Sequence, residues 1–124
     1  QMIPHPEGGH FKESYRDNNI SLIYYLLKKN EKSHWHRLKK NEILHFYLGK
    51  PLEVFTSIDG IDYNSFSLGL NNNFIFTVHS NTWFAMRSTG SFSLIGCTVA
   101  PAFDFKDFEL APRGWNPKNF KIEL

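Results

Sequence analysis

Cysteine is nearly absent from this sequence: Cys97 stands alone among 124 residues. That excludes an intramolecular disulfide framework and a cysteine-based zinc ribbon, both of which need several thiols. Eight glycines and six prolines are far too few for a collagen-like chain. No long hydrophobic run is present. The longest, Leu22 to Leu27, falls well short of the ~20 apolar residues of a spanning helix, so no membrane association is expected. The opening residues carry no basic stretch followed by an apolar one, as a secretory leader would, although Gln1 ahead of Met2 points to trimming. A reducing, cytoplasmic compartment is the expectation. Charge of one sign is also lacking. Fourteen Lys and Arg oppose twelve Asp and Glu, interspersed along the chain, which argues against a nucleic-acid partner. Phosphate loops, Rossmann glycine patterns, HExxH and GxSxG are all missing, so histidine is the best available acid-base residue.

What is present is aromatic and β-forming. Phe, Tyr and Trp make up 16% of the chain, and twelve of these residues are Phe. Short runs rich in Phe, Tyr, Ile, Val and Thr alternate with turn residues such as Asp17-Asn18-Asn19, Gly49-Lys50-Pro51, Asp59-Gly60 and Gly69 to Asn73. Asp59-Gly60 predicts a hairpin between Leu52–Ile58 and Ile61–Leu68. In Ser91 to Val99, period-two alternation puts Phe92, Leu94, Gly96 and Thr98 on one face. Nine or ten strands at near-regular spacing and no clean 3.6-residue period imply one all-β domain over residues 1–124, a sandwich or barrel.

The chemistry concentrates in His34 to Gly49. On a strand, His34 and His36 point to one face and Trp35 to the other. Glu42 opens the next strand, with Leu44 and Phe46 on its face and His45 turned away as a structural histidine. Two readings stand side by side. His34, His36 and Glu42 are a possible site for a divalent transition metal. Alternatively, a histidine and a carboxylate form a proton-transfer pair. On the first long strand Phe11, Glu13 and Tyr15 share a face, so Glu13 is a second carboxylate that could serve His36. Arg16, Arg37 and Arg87 are the candidate anion grips. Cys97 reads as a buried inert thiol.

These residues resemble the cupin superfamily. His34-x-His36, a loop, then Glu42 and Gly49 look like the first cupin motif, and His79-Ser-Asn81-Thr-Trp-Phe84 occupies the place of the second. There Asn81 stands where the family has glycine, and Phe84 where it has a third histidine. His5-Pro-Glu-Gly-Gly9, Trp35-His-Arg37 and Cys97-Thr-Val-Ala-Pro-Ala-Phe-Asp-Phe-Lys-Asp-Phe-Glu-Leu110 together resemble one uncharacterised single-domain cupin family. The resemblance implies an antiparallel double-stranded β-helix (a jelly roll), a small-molecule pocket at its open end and a homodimer, the last also suggested by the aromatic load. Gly9-x-Phe11-x-Glu13-x-Tyr15 is similar to the first strand of the cupin-fold nucleotide-sugar 3,5-epimerases. The family's proton-abstracting histidine then falls on His36, while the arginine that precedes the glycine there is Gly8 here.

The leading expectation is an isomerase- or epimerase-like enzyme acting on a carbohydrate-like or carboxylated metabolite. His36, Glu42 and Glu13 would carry the chemistry, with His34, Phe11, Tyr15, Arg37, Phe46 and Phe84 around the ligand. A metal-dependent enzyme using His34, His36 and Glu42 is the first alternative, and a non-catalytic metabolite-binding module the second.

Overall fold

The computed structural model describes residues 1–124 as two antiparallel sheets with no α-helix. The first sheet holds six strands: β1 (Ile3–Pro4), β2 (His10–Arg16), β3 (Ser21–Lys28), β10 (Phe92–Ala100), β5 (Asn41–Gly49) and β8 (Ile75–Val78), in that spatial order. The second holds five: β11 (Phe108–Leu110), β4 (Lys32–Leu38), β9 (Trp83–Ser88), β6 (Leu52–Ser57) and β7 (Asn64–Leu68). Apart from the β1-β2-β3 and β6-β7 neighbours, the chain changes sheet at every connection, which is the double-stranded β-helix that the family resemblance implied. The expected nine or ten strands become eleven because β1 and β11 are short edge strands with little propensity signal of their own. No helix is long and apolar enough to cross a membrane.

The inward residues of both sheets pack into one core. Tyr25, Leu27, Leu44, Leu52, Val54, Leu68, Phe84, Met86 and Ile95 are its buried members. A second cluster lies on the outer side of the five-stranded sheet. There the segment after β11 folds back, so that Ala111 and Phe120 cover Trp35, Phe55 and Ala85. Phe120 stands edge-on to Trp35, Phe55 and Tyr63 at centroid distances of 5.1, 5.0 and 4.9 Å.

The local turn predictions hold in kind. β6 and β7 form the expected antiparallel pair with Leu52 opposite Leu68. β7, however, starts at Asn64 and not at Ile61. The Asp59 carboxylate accepts from the backbone N–H groups of Ile61 and Asp62, and this turn uses up the first residues of the expected strand. Asn81 sits at φ +63°, the left-handed conformation anticipated at that position.

Three β-bulges decide which side chains face inward. On β4 the register shifts between Ser33, opposite Met86, and His36, opposite Phe84. On β2 it shifts between Glu13 and Tyr15, and on β5 between Phe46 and Leu48. Each extra residue resets the period-two alternation downstream.

Candidate functional site

The site begins at the turn after β1. Gly8 and Gly9 have φ of +114° and +73°. A Cβ on Gly8 would collide with the Lys32 carbonyl oxygen, and one on Gly9 would lie 2.8 Å from the Leu26 carbonyl oxygen. Only glycine allows this turn to press so closely on β3 and β4. It is pinned there by the Tyr25 hydroxyl, which donates to the Gly8 carbonyl at 2.5 Å, and by the His34 N–H, which donates to the Glu7 carbonyl at 2.7 Å. The turn thereby drives Glu7 between the sheets, where it is buried.

The β4 bulge supplies the partner. Ser33 and His36 both point inward, while His34 and Trp35 both point out. His36 Nδ1 is 2.7 Å from the His34 carbonyl oxygen, which can only accept, so Nδ1 carries the proton. Nε2 is left facing Glu7 Oε1 at 3.3 Å. The Ser33 hydroxyl donates to Glu7 Oε2. His5 lies on the other side, its Nδ1 accepting the Glu7 N–H at 3.2 Å and standing 3.4 Å from Glu7 Oε1.

Burial dominates the electrostatics. It lowers His36 to about 4, and it raises the Glu7 carboxyl above its ordinary value. The pair is thus a carboxyl whose protonated form is favoured by burial, beside an imidazole that is neutral at pH 7. His5 is likewise lowered, first by burial, and stays neutral.

Glu42 faces the same space from β5, on the opposite sheet. Burial, and then the nearby Glu7 charge, raise it to about 8, with only the Cys97 thiol to hydrogen-bond it. No cation pairs with it. Glu7, His36 and Glu42 form the polar floor of a cavity of about 230 Å³ walled by Phe11, Phe103, Phe105 and Phe108. At its mouth Arg16 Nε donates to Glu13 at 2.7 Å, and Arg16 Nη1 donates to the Phe103 carbonyl at 2.7 Å.

The family match is with "Cupin superfamily (DUF985)", over residues 1–111. The chain belongs to this family. A crystal structure of a protein from Shewanella oneidensis shares 34% identity with this cupin, with a TM-score of 0.82 over 89% of this chain and 78% of the other. A hypothetical protein from Leishmania major shares 25%, with a TM-score of 0.78 over 92% and 84%. Oxalate decarboxylase from Bacillus subtilis, at 12% identity and a TM-score of 0.72 over 86% of this chain and 29% of its own, shares the fold alone. No curated protein matches.

Within this cupin, the residues expected around the ligand divide. His36, Glu42, Glu13 and Phe11 line the cavity. Phe84 does not; it is buried under His36, with ring centroids 4.0 Å apart. Glu13 is not a partner of His36, because it stands at the mouth paired with Arg16. His34 leaves the face of His36 through the β4 bulge, and its Nε2 meets the Pro112 carbonyl oxygen at 3.1 Å. Tyr15 leaves the face of Phe11 and Glu13 through the β2 bulge and donates to Asp17 at 2.9 Å, so Arg16 takes the inward place. Arg37 lies outside, paired with Glu109 at 2.8 Å and stacked 4.4 Å over Trp83. Phe46 packs on the core beneath Gly69 and away from the mouth. His45 is structural, with Nε2 3.2 Å from the Thr98 hydroxyl.

The three-ligand metal set is not assembled. His34 sits on the far side of β4 from His36 and Glu42, and no three His, Cys, Asp or Glu side chains meet in a metal-binding arrangement. Glu7, the carboxyl that does meet His36, carried no role in the sequence reading. Its signal was the two glycines that follow it, since a Glu-Gly-Gly turn frees the backbone to insert the preceding side chain.

Proposed function

We propose that this cupin binds a small metabolite in the barrel cavity and moves a proton on it, as isomerases and epimerases do. The observation that carries this reading is the buried carboxyl–imidazole pair, 3.3 Å apart, on the floor of the cavity. A carbon acid of the type H–C–C=O can lie across the two groups, its carbonyl oxygen on Glu7 and its C–H on His36. Glu7 donates its proton to the carbonyl oxygen as Nε2 of His36 takes the proton from the adjacent carbon. The C–H bond breaks, N–H and enol O–H bonds form, and no electron leaves the pair of reactants. The imidazolium and carboxylate so created lie side by side and stabilise each other. Return of a proton to the opposite face of that carbon inverts it; in a hydroxycarbonyl substrate, return to the former carbonyl carbon, with loss of the adjacent hydroxyl proton, moves the carbonyl and isomerises it. The likeness of Gly9 to Tyr15 to the 3,5-epimerases supports the same chemistry. Cavity size restricts the substrate: an apolar cavity of about 150 Å³ holds benzene, so about 230 Å³ holds roughly ten heavy atoms, and no intact nucleotide sugar.

The test is solvent-deuterium exchange followed by NMR, with small hydroxyketones, aldoses and 2-oxo acids as probes. The native chain is expected to wash deuterium into the carbon beside a carbonyl. His36→Gln, which keeps the ring's size and polarity approximately, should slow that exchange by 10²-fold or more. A probe that raises the melting temperature yet never exchanges would make this chain a binding module instead.

A further inference from the structure

Inversion at a carbon requires one proton to leave and another to arrive on the opposite face. His36 can serve only one of those faces. Its Nδ1 is held 2.7 Å from the His34 carbonyl oxygen, and its ring is packed on Phe84 with centroids 4.0 Å apart. The imidazole therefore cannot swing around the carbon. The substrate in turn has little room to roll over in about 230 Å³ walled by four phenylalanines. Inversion thus needs a second proton carrier.

Most polar groups of the lining are already engaged. The Tyr25 hydroxyl donates to the Gly8 carbonyl at 2.5 Å. Ser21 is buried, and its oxygen accepts the Phe103 N–H at 2.8 Å. Glu13 is tied to Arg16 at the mouth. His5 accepts the Glu7 N–H at Nδ1, and the remaining N–H of a neutral imidazole is a very weak acid. Burial pushes the Cys97 thiol well above its ordinary value, so it too holds its proton tightly.

Glu42 remains. Its cross-strand neighbours are Val78 on β8 and Val99 on β10, so apolar side chains flank it within the sheet. Burial keeps its carboxyl protonated up to about 8. His36 stands on the five-stranded sheet and Glu42 on the six-stranded one, and both line the same cavity. Packed sheets lie ~10 Å apart, so groups reaching inward from the two sheets can bracket one flat enol.

We infer that Glu42 is the second proton carrier, delivering its proton to the face of the carbon opposite His36, so that the reaction is inversion. This rests on the proton-transfer reading above. In the enol, His36 is an imidazolium and Glu7 a carboxylate. The Glu42 O–H bond breaks as a C–H bond forms on the far face, and Glu7 takes back the enol proton as the carbonyl re-forms. His36 is left with one proton more and Glu42 with one fewer, and exchange with water through the mouth restores both. The substrate class follows: a small carbonyl compound whose adjacent carbon bears one hydrogen and is a stereocentre.

The experiment follows single enantiomers of acetoin, glyceraldehyde and erythrose in deuterium oxide, by NMR for isotope and by chiral chromatography for configuration. With the native chain, the inverted product should carry deuterium at the stereocentre from the first turnovers, while the remaining substrate still carries hydrogen. Glu42→Gln should lower inversion by 10²-fold or more. Deuterium should still enter the substrate with its configuration retained, at a rate within a few-fold of native, because His36 and Glu7 are intact. His36→Gln should lose both exchange and inversion. Should Glu42→Gln fail to fold, Glu42→Asp decides: it keeps the acid but withdraws it by one methylene, so inversion should fall while exchange persists. Native exchange with full retention overturns the inference and leaves the proton-transfer reading standing. So does a Glu42→Gln chain that still inverts, or one in which exchange and inversion fall by the same factor, which would mark a role in binding. A native chain that exchanges no probe overturns both.

Discussion

At the scale of the residue, Glu42 and His36 make opposite demands on pH. Glu42 keeps its proton to about 8 in the folded chain and loses it near 4.5 when unfolded. Between those values the folded state binds more protons, so stability falls as pH rises and levels off above 8. His36 is lowered to about 4 from 6.5, so in that window the unfolded state binds more protons and stability rises with pH. The two trends offset each other up to about pH 6.5, above which only the carboxyl trend remains. The unfolding free energy of the native chain, measured by urea titration, should therefore drop between pH 6.5 and 8.5 by an amount on the order of 1–2 kcal/mol. Glu42→Gln should abolish most of that drop and be no less stable than the native chain at pH 8.5. The raised Glu7 carboxyl pushes in the same direction as Glu42 and accounts for any slope that remains. His36 and Glu42 were legible as site residues because imidazole and carboxylate in one short segment are chemically conspicuous. Glu7 was not, because nothing local says that a glutamate ahead of two glycines is folded inward.

At the scale of the element, the informative features are the turn after β1 and the bulge on β4. The turn carries Glu7 only because two successive glycines reach positive φ against neighbouring backbone. Gly8→Ala should therefore be destabilising, since its Cβ meets a backbone carbonyl that cannot yield. Its larger effect should be on the site: with the turn displaced from Lys32, Glu7 loses Ser33 and His36 together. A chemical-shift map of Gly8→Ala should show changes at Ser33 and His36 larger than those on β6 and β7. The bulge explains why the His-x-His pair misled. Alternation predicts His34 and His36 on one face, and inserting one residue between Ser33 and His36 moves His34 to the outside while Ser33 and His36 stay inside. The same event on β2 exchanges Tyr15 for Arg16. A bulge is selected by the strand alongside, here β9 for β4 and β3 for β2, so the sequence of the bulged strand alone does not announce it.

At the scale of the whole molecule, stability rests on two clusters, one between the sheets and one outside the second sheet. The outer cluster depends on a segment with almost no regular structure, closed by Phe120 against Trp35, Phe55 and Tyr63. Phe120→Ala should cost about 3–4 kcal/mol, measurable as a lower urea midpoint with an unchanged slope. A loss of 1 kcal/mol or less would mean that the segment contributes little to the fold. The cavity lies between the sheets and is lidded by the segment before β11, which Lys40 ties down through the Ala102 carbonyl at 2.7 Å and Asp107 at 3.0 Å. The aromatic excess of the composition thus has four destinations: the two clusters, the cavity wall and the exposed Tyr24–Tyr47 pair on the six-stranded sheet.

The sequence by itself determined the all-β class, the succession of short strands and turns, the family, and the histidine at the centre of the site. These follow from local propensity, from period-two alternation and from motifs whose spacing is written in the chain. Only the tertiary structure decided which carboxyl meets His36, which neighbours of His36 turn away, and which sheet face is left without a roof. Those outcomes depend on register between strands distant in sequence and on where the chain's last segment folds back. Both are set by the packing of the whole molecule, and no window of residues contains them.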